Sequence, residues 1–150
     1  MKTFIIYALF IATVLAAGIL TGVSNLPGPW YDGLQKPFFQ PPPWIFSPVW
    51  TILYVMIAVA GARTWLRAPA SGRMQLWFAQ MVLNLLWSPA FFGMQSPGLG
   101  LAVILPLLVL ILTFIATSRT KDRTSMWLFA PYALWVAFAS VLNASIVLLN

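Results

Sequence analysis

The 150-residue sequence has no cysteine, no histidine and no glutamate, and its only acidic residues are Asp32 and Asp122. Each absence removes a class of chemistry. Without cysteine there is no disulfide and no thiolate nucleophile. Without cysteine and histidine, zinc sites and a His-ligated haem are excluded. The two aspartates lie outside the apolar runs, so neither paired-carboxylate hydrolysis nor coupling to an ion gradient through a mid-membrane carboxylate has its residues. Serine and threonine are present, but no histidine or lysine inside those runs activates them. Soluble domains carry about 25% charged residues; here 7% are charged and 61% are hydrophobic. An ordinary soluble domain is excluded as well.

What the sequence does have is long apolar runs. A helix crossing the hydrocarbon core needs about 20 apolar residues. Five blocks qualify: Phe4–Val23, Trp44–Ala62, Met74–Phe92, Leu99–Thr117 and Met126–Leu149. The expected fold is all-α, a single polytopic domain over residues 1–150 built as a bundle of five transmembrane helices. Lys2 before the first block and the small residues of "LAAG" resemble a signal peptide, but the run reaches Ile19 and Leu20, longer than the about 7–15 residues of a signal core. It is expected to stay as a span.

The formal charge of +6 raises the question of nucleic acid, and its distribution answers no. Lys2, Arg63, Arg67, Arg73, Arg119, Lys121 and Arg123 fall on one side of five spans, and only Lys36 falls on the other. By the positive-inside rule the N-terminus is expected in the cytoplasm, with the C-terminus and the long first loop outside. A bacterial inner membrane suits that bias. Contact with anionic membrane lipid follows from the same charges.

The blocks leave connections of about 7 to 11 residues, which predicts sequential antiparallel neighbours. One connection, Ser24 to Pro43, is longer, and loops of that length are usually functional. It runs into "WYDGLQKPFFQPPPWIFSPVW" (Trp30–Trp50), dense in aromatics and prolines. Consecutive prolines at 41–43 favour an extended chain, so the loop is stiff. Pro48, Pro89, Pro106 and Pro131 fall inside apolar blocks; kinks are expected, with a widened cavity near Pro48, Pro89 and Pro131, which sit beside polar and aromatic residues.

Uncharged polar and aromatic residues recur at helical spacing. Gln80, Asn84, Trp87 and Phe91 share one face, as do Tyr132, Trp135, Ala139 and Asn143, and Ser47, Trp50 and Tyr54. Polar groups in hydrocarbon need partners, so these stripes should face inward. Two readings stay open: interhelical hydrogen bonding, or the wall of a pocket. Trp30, Trp44, Trp65, Trp77 and Trp127 lie at span ends, where an interfacial belt accounts for them. Trp50, Trp87 and Trp135 lie further in, and their indole faces suit a flat aromatic ligand. Gly18 and Gly22 match the close-packing pattern GxxxG, for dimerisation or for packing within the chain.

The order W-Y-D-x-L-x-K-P-x-F-x-P-P-x-W-x-F-x-P-V-W-T-x-L-Y from Trp30 to Tyr54 resembles the signature of the tryptophan-rich sensory protein family, which includes the mitochondrial translocator protein or peripheral benzodiazepine receptor. "NLLWSPAFF" (Asn84–Phe92) and "PYALWVAFASVLN" (Pro131–Asn143) continue the resemblance, which covers essentially the whole chain. It implies a five-helix bundle, often a homodimer, that binds porphyrins such as protoporphyrin IX and synthetic aromatic ligands beneath a lid-like loop. On that pattern Trp30, Tyr31 and Pro41 close the pocket. Trp50, Tyr54, Asn84, Trp87, Trp135 and Ala139 line its wall.

The resemblance implies porphyrin binding for transport, sensing or regulation of tetrapyrrole metabolism. With no strong axial ligand available, a metal-free porphyrin fits better than haem, and no resident cofactor or metal is expected. It also implies an alternative, light-dependent porphyrin breakdown with Trp50 and Trp135 as the reactive indoles, in which the ligand's own photochemistry does the work. A third is a sterol-binding or regulatory membrane partner. Against sterol, the family's C-terminal element of an aromatic followed by a basic residue is missing from "VLNASIVLLN"; only a loose match, Leu26–Tyr31–Lys36, exists in the loop.

Overall fold

Hydrocarbon offers the backbone no hydrogen-bond partner, so a spanning chain must supply its own, and the helix does this within one segment. Of 113 backbone–backbone hydrogen bonds, 97 lie inside helices, which is that solution. The computed structural model describes all residues, Met1–Asn150. Its elements are α1 (Lys2–Ser24), the single turn α2 (Pro29–Asp32), α3 (Phe46–Arg67), α4 (Gly72–Ser88), α5 (Pro97–Lys121) and α6 (Arg123–Leu149). A 3-10 turn (Pro43–Ile45) leads into α3, and a wider π-helical turn (Pro89–Gly93) continues α4. Five helical stretches are long and apolar enough to cross a membrane: Lys2–Ser24, Pro43–Arg67, Gly72–Gly93, Pro97–Lys121 and Arg123–Leu149.

The helices overrun the apolar blocks. Hydropathy stops at the first arginine, but arginine and lysine are good helix formers whose long stems reach water from a helix end. Arg63, Arg67, Arg73, Arg119, Lys121 and Arg123 are therefore helical, and the connections shrink to residues 68–71, 94–96 and the single residue Asp122. Two starts are capped, Ser71 Oγ accepting from Met74 N at 3.3 Å and Ser96 Oγ from Leu99 N at 3.2 Å. The prolines differ among themselves. Pro48 sits in the first turn of α3, where no backbone bond is lost. Pro89 opens the π turn, whose bonds run Met94 N to Pro89 O (2.8 Å) and Ser96 N to Phe91 O (3.1 Å). Only Pro106 and Pro131 interrupt a helix interior.

Around the bundle the order is α1, α3, α6, α5, α4. Sequential packing holds for α1 with α3, α4 with α5 and α5 with α6, but α3 and α4 touch only slightly, and α3 lies along α6 instead. The short link at 68–71 ties the ends of α3 and α4; beyond it the rings of Trp77, Tyr54 and Tyr132 stand between helices. Trp77 corrects its assignment to the interfacial belt. It is 4% exposed, donates Nε1 to Ile57 O at 2.9 Å, and fills the space left by the missing side chain of Gly61. Trp44, Trp65 and Trp127 are exposed, as a belt requires.

The GxxxG pair divides. A Cβ on Gly18 would collide with the ring of Tyr54, whereas one on Gly22 would meet nothing. Gly18 therefore serves the approach of α1 to α3 within the chain. Gly18→Ala is expected to lower stability by about 1 kcal/mol through overpacking. Gly22→Ala should be neutral or gain up to about 1 kcal/mol of helix propensity. Thermal unfolding of the two variants in detergent checks this, and equal losses would contradict the division.

The end of the bundle carrying the 68–71 and Asp122 connections holds an ion cluster. Asp122 accepts from Arg63 Nη2 (2.8 Å) and Nε (3.1 Å) and from Ser125 Oγ (2.6 Å). Arg67 Nη1 lies 3.7 Å and Arg73 Nη2 3.9 Å from the same carboxylate. Burial alone would raise the Asp122 carboxyl. The hydrogen bonds from Arg63 and Ser125 and the charges of Arg63 and Arg67 outweigh it and hold the group well below the usual carboxylate range.

Candidate functional site

Ser47 departs from its expected inward stripe and is exposed, because it lies in the first turn of α3 at the mouth of the bundle. The rest of the stripes meet in a chain of hydrogen bonds through the middle. Tyr54 OH of α3 donates to Asn84 Oδ1 of α4 at 3.2 Å, Asn84 Nδ2 donates to Tyr132 OH of α6 at 2.7 Å, and Tyr132 OH donates to Gln80 Oε1 at 2.7 Å. Gln80 Nε2 then donates to Trp77 O at 2.8 Å. Gln80 and Tyr132 are fully buried, so the bonds that they make are shielded from water, whereas the one from Tyr54 to Asn84 is only partly buried. The long bond from Tyr54 is the weakest member and the one a ligand acceptor or donor could replace. Trp50 packs beside this chain, its ring centroid 5.3 Å from Tyr54 and 6.4 Å from Tyr132.

Towards the long loop the walls turn aromatic. Trp87 stacks on Phe91 at 5.0 Å, and its Nε1 donates to Asn143 Oδ1 at 3.1 Å, while Asn143 Nδ2 donates to Pro97 O at 2.8 Å. The π turn brings Phe91 and Phe92 to the loop. Trp30 lies 5.9 Å from Phe91, and Tyr31 lies 5.3 Å from Phe92. Gly100 of α5 permits this approach: a Cβ there would come within 2.7 Å of Phe91 Cδ2 and 2.8 Å of Asn143 Oδ1.

The loop is stapled by its own side chains. Lys36 Nζ donates to Tyr31 O at 2.7 Å and sits 4.3 Å above the Tyr31 ring; Gln40 Nε2 donates to Tyr31 OH at 3.0 Å. Burial pushes the Tyr31 phenol up, the charge of Asp32 adds to this and the Gln40 bond opposes it, so the ring stays neutral. Asn150 pins the loop from the far end of α6, exchanging hydrogen bonds of 2.9 Å in both directions with the backbone of Gln35. The expected stiffness of the loop therefore has contacts behind it beyond its prolines.

Of the residues expected to form a pocket, the structure brings Trp50, Tyr54 and Asn84 together around the polar chain, and Trp30, Tyr31 and Trp87 together around Phe91. Pro41 is half-buried in the loop and Ala139 half-buried against the core. Trp135 stands apart from both groups. It packs on Phe46 (5.7 Å) and Phe138 (5.8 Å) and borders a groove of about 420 Å³ between α3 and α6, with Val49, Leu53 and Pro131; its Nε1 has no partner. Of the widened cavity expected near Pro48, Pro89 and Pro131, that groove beside Pro131 is the open part; the side chains of Tyr132, Asn84 and Phe91 fill the middle of the bundle.

Four residues on the stripes carry more of the site than the expected lining allowed. Tyr132 and Gln80 orient Asn84; Asn143 orients Trp87; Phe91 joins loop to wall. Their signal was the helical spacing itself. No group of three His, Cys, Asp or Glu that could hold a metal ion converges in the chain.

Comparison with known proteins agrees with this architecture. The TspO/MBR family profile matches residues 10–149. The chain is 40% identical to the tryptophan-rich protein TspO of Chlorobaculum tepidum, covering 99% of this chain and 98% of that protein. It is 33% identical to the tryptophan-rich sensory protein of Cereibacter sphaeroides (96% and 92% covered). It is 32% identical to the human translocator protein (76% and 70% covered).

Proposed function

The chain belongs to the TspO/MBR family of membrane proteins, and from that premise we propose that it binds porphyrins or related tetrapyrroles, of the protoporphyrin IX type, between its helices beneath the long loop. Binding serves their transport or sensing, the roles that the names of its relatives suggest. The observation that carries this reading is the convergence of Trp30, Tyr31, Trp87 and Phe91 on one side and Trp50, Tyr54 and Tyr132 on the other, with Asn84 as polar anchor. Flat apolar walls supply affinity for a macrocycle, and few, oriented polar groups supply its register. The stapled loop lessens the ordering entropy that a lid would otherwise lose. The ligand enters by displacing Tyr54 from Asn84 and parting the loop from Phe91 and Phe92. In the same reading the protein is a homodimer in a bacterial inner membrane, with its N-terminus cytoplasmic.

Light-dependent porphyrin breakdown is the second reading. It rests on Trp135, whose indole N–H is unengaged beside the α3–α6 groove, together with Trp50. The test is a titration of the purified protein with protoporphyrin IX, following tryptophan fluorescence and porphyrin absorbance in darkness and then in light, for wild type and the double variant Trp50→Phe, Trp135→Phe. Saturable quenching with a spectrum stable in light is the expected result. Decay of the spectrum in light for wild type alone would replace binding by breakdown, and the absence of saturable quenching would remove porphyrin from the account.

A further inference from the structure

We propose that Arg67, with Arg63 and Arg73 beside it, binds the phosphate of an anionic membrane lipid at the end of the bundle where Asp122 lies. The argument is one of charge and unmet hydrogen bonding and does not depend on what the aromatic site binds. Three guanidinium groups lie within 4 Å of a single carboxylate, so two positive charges are left over. The carboxylate is already engaged by Arg63 and Ser125. Arg67 receives only its field: at 3.7 Å it donates no hydrogen bond, its side chain is 53% exposed, and its whole donor fork is free.

Arg73 is the second observation. It is nine-tenths buried, makes one long hydrogen bond to Thr64 Oγ1 (3.3 Å), and leaves its Nε–H without a partner. Its guanidinium lies 5.7 Å from the ring of Phe114, on the face of α5 that Phe114 shares with Ser118; the Ser118 Oγ, fully buried, is also without a partner. A buried cation under-compensated in this way is stabilised by an anion at the rim. The rim is a span end, where lipid phosphates are abundant, and a guanidinium fork matches two phosphate oxygens. Arg119, Lys121 and Arg123 are exposed at the same end and lie outside every ion pair in the structure, so they give a built-in control for charge without a site.

The experiment measures retention of phosphatidylglycerol against phosphatidylcholine by the detergent-purified protein, using native mass spectrometry, for wild type, Arg67→Gln and Arg119→Gln. Arg67 donates nothing to the protein, so Arg67→Gln is expected to fold. The expected result is a preference for phosphatidylglycerol that falls at least about fivefold in Arg67→Gln, the scale of one basic residue at a membrane surface, and less than about twofold in Arg119→Gln. Equal losses in both variants would overturn the site in favour of diffuse surface charge. A parallel thermal unfolding series compares phosphatidylglycerol with soluble glycerol 3-phosphate at matched phosphate concentration. Stabilisation by the lipid alone is expected, and equal stabilisation by the soluble phosphate would overturn a membrane source.

Discussion

Replacing Asp122 by alanine is expected to lower the unfolding free energy by about 3 kcal/mol, because removing one partner of a buried ion pair strands the others. Asp122 is 4% exposed and is the only acidic residue within reach of Arg63, Arg67 and Arg73. Without it Arg63 loses both of its hydrogen bonds, and buried Arg73 faces two other cations. Arg67 is more exposed and water screens it, so the loss falls mainly on the other two. The same carboxylate predicts a pH dependence. Its folded-state pKa is depressed, so its contribution is fully present above the unfolded value of about 3.9 and is lost as pH falls through the lower folded value. Thermal midpoints in detergent should hardly change for this group from pH 7 to pH 5 and should fall below about pH 4. In Asp122→Ala that acid-limb decline should be blunted. An equal decline in both proteins would assign the acid sensitivity elsewhere.

Tyr132→Phe is expected to cost about 2 kcal/mol and to weaken ligand binding as well. One hydroxyl serves two bonds of 2.7 Å, accepting from Asn84 Nδ2 and donating to Gln80 Oε1. Removing it leaves a buried donor and a buried acceptor unpaired, at about 1–3 kcal/mol each in soluble proteins. Membrane helices find substitutes more readily, with interhelical bonds averaging about 0.6 kcal/mol, which brings the sum down to about 2. Asn84 then loses the partner that sets its rotation, and Tyr54 loses a fixed acceptor. Gln80→Leu in the Tyr132→Phe background should recover part of the stability, since it removes the stranded acceptor, but should not restore protoporphyrin IX affinity. Comparing unfolding and dark titration across the three variants separates the two effects. Recovery of both together would mean that Tyr132 acts on binding only through stability.

Much of this was legible in the sequence because hydrocarbon is a demanding solvent. Twenty-residue apolar runs have one backbone solution, so the five spans could be counted. Polar residues had to turn inward, so Gln80, Asn84, Tyr132 and Asn143 fell on the faces where the structure has them. Hydropathy misses what does not depend on hydropathy. Arginine ends an apolar run without ending a helix, and so the connections came out shorter than expected. Neighbour order depends on side-chain volume between helices, which put α6 rather than α4 beside α3. Trp77 sits near a span end as a belt residue would, but a gap opposite Gly61 and a carbonyl at Ile57 draw it inside. Trp135 has helical spacing to Tyr132 yet borders the outer groove, because a step of three residues leaves it about 60° around the helix from Tyr132.

The Asp122 cluster also has a history within each molecule. Its three arginines are synthesised before its carboxylate: Asp122 follows Arg73 by roughly fifty residues, several seconds at about 5–20 residues per second. Through that interval Arg63, Arg67 and Arg73 lack the carboxylate that they later share, and unneutralised basic residues are the ones that the positive-inside rule counts. When Asp122 emerges, between the last two helices, it draws on the same side chains and joins α3 and α4 to α5 and α6. Three charges that emerge without a partner thus become, once translation nears its end, the clasp on the finished bundle.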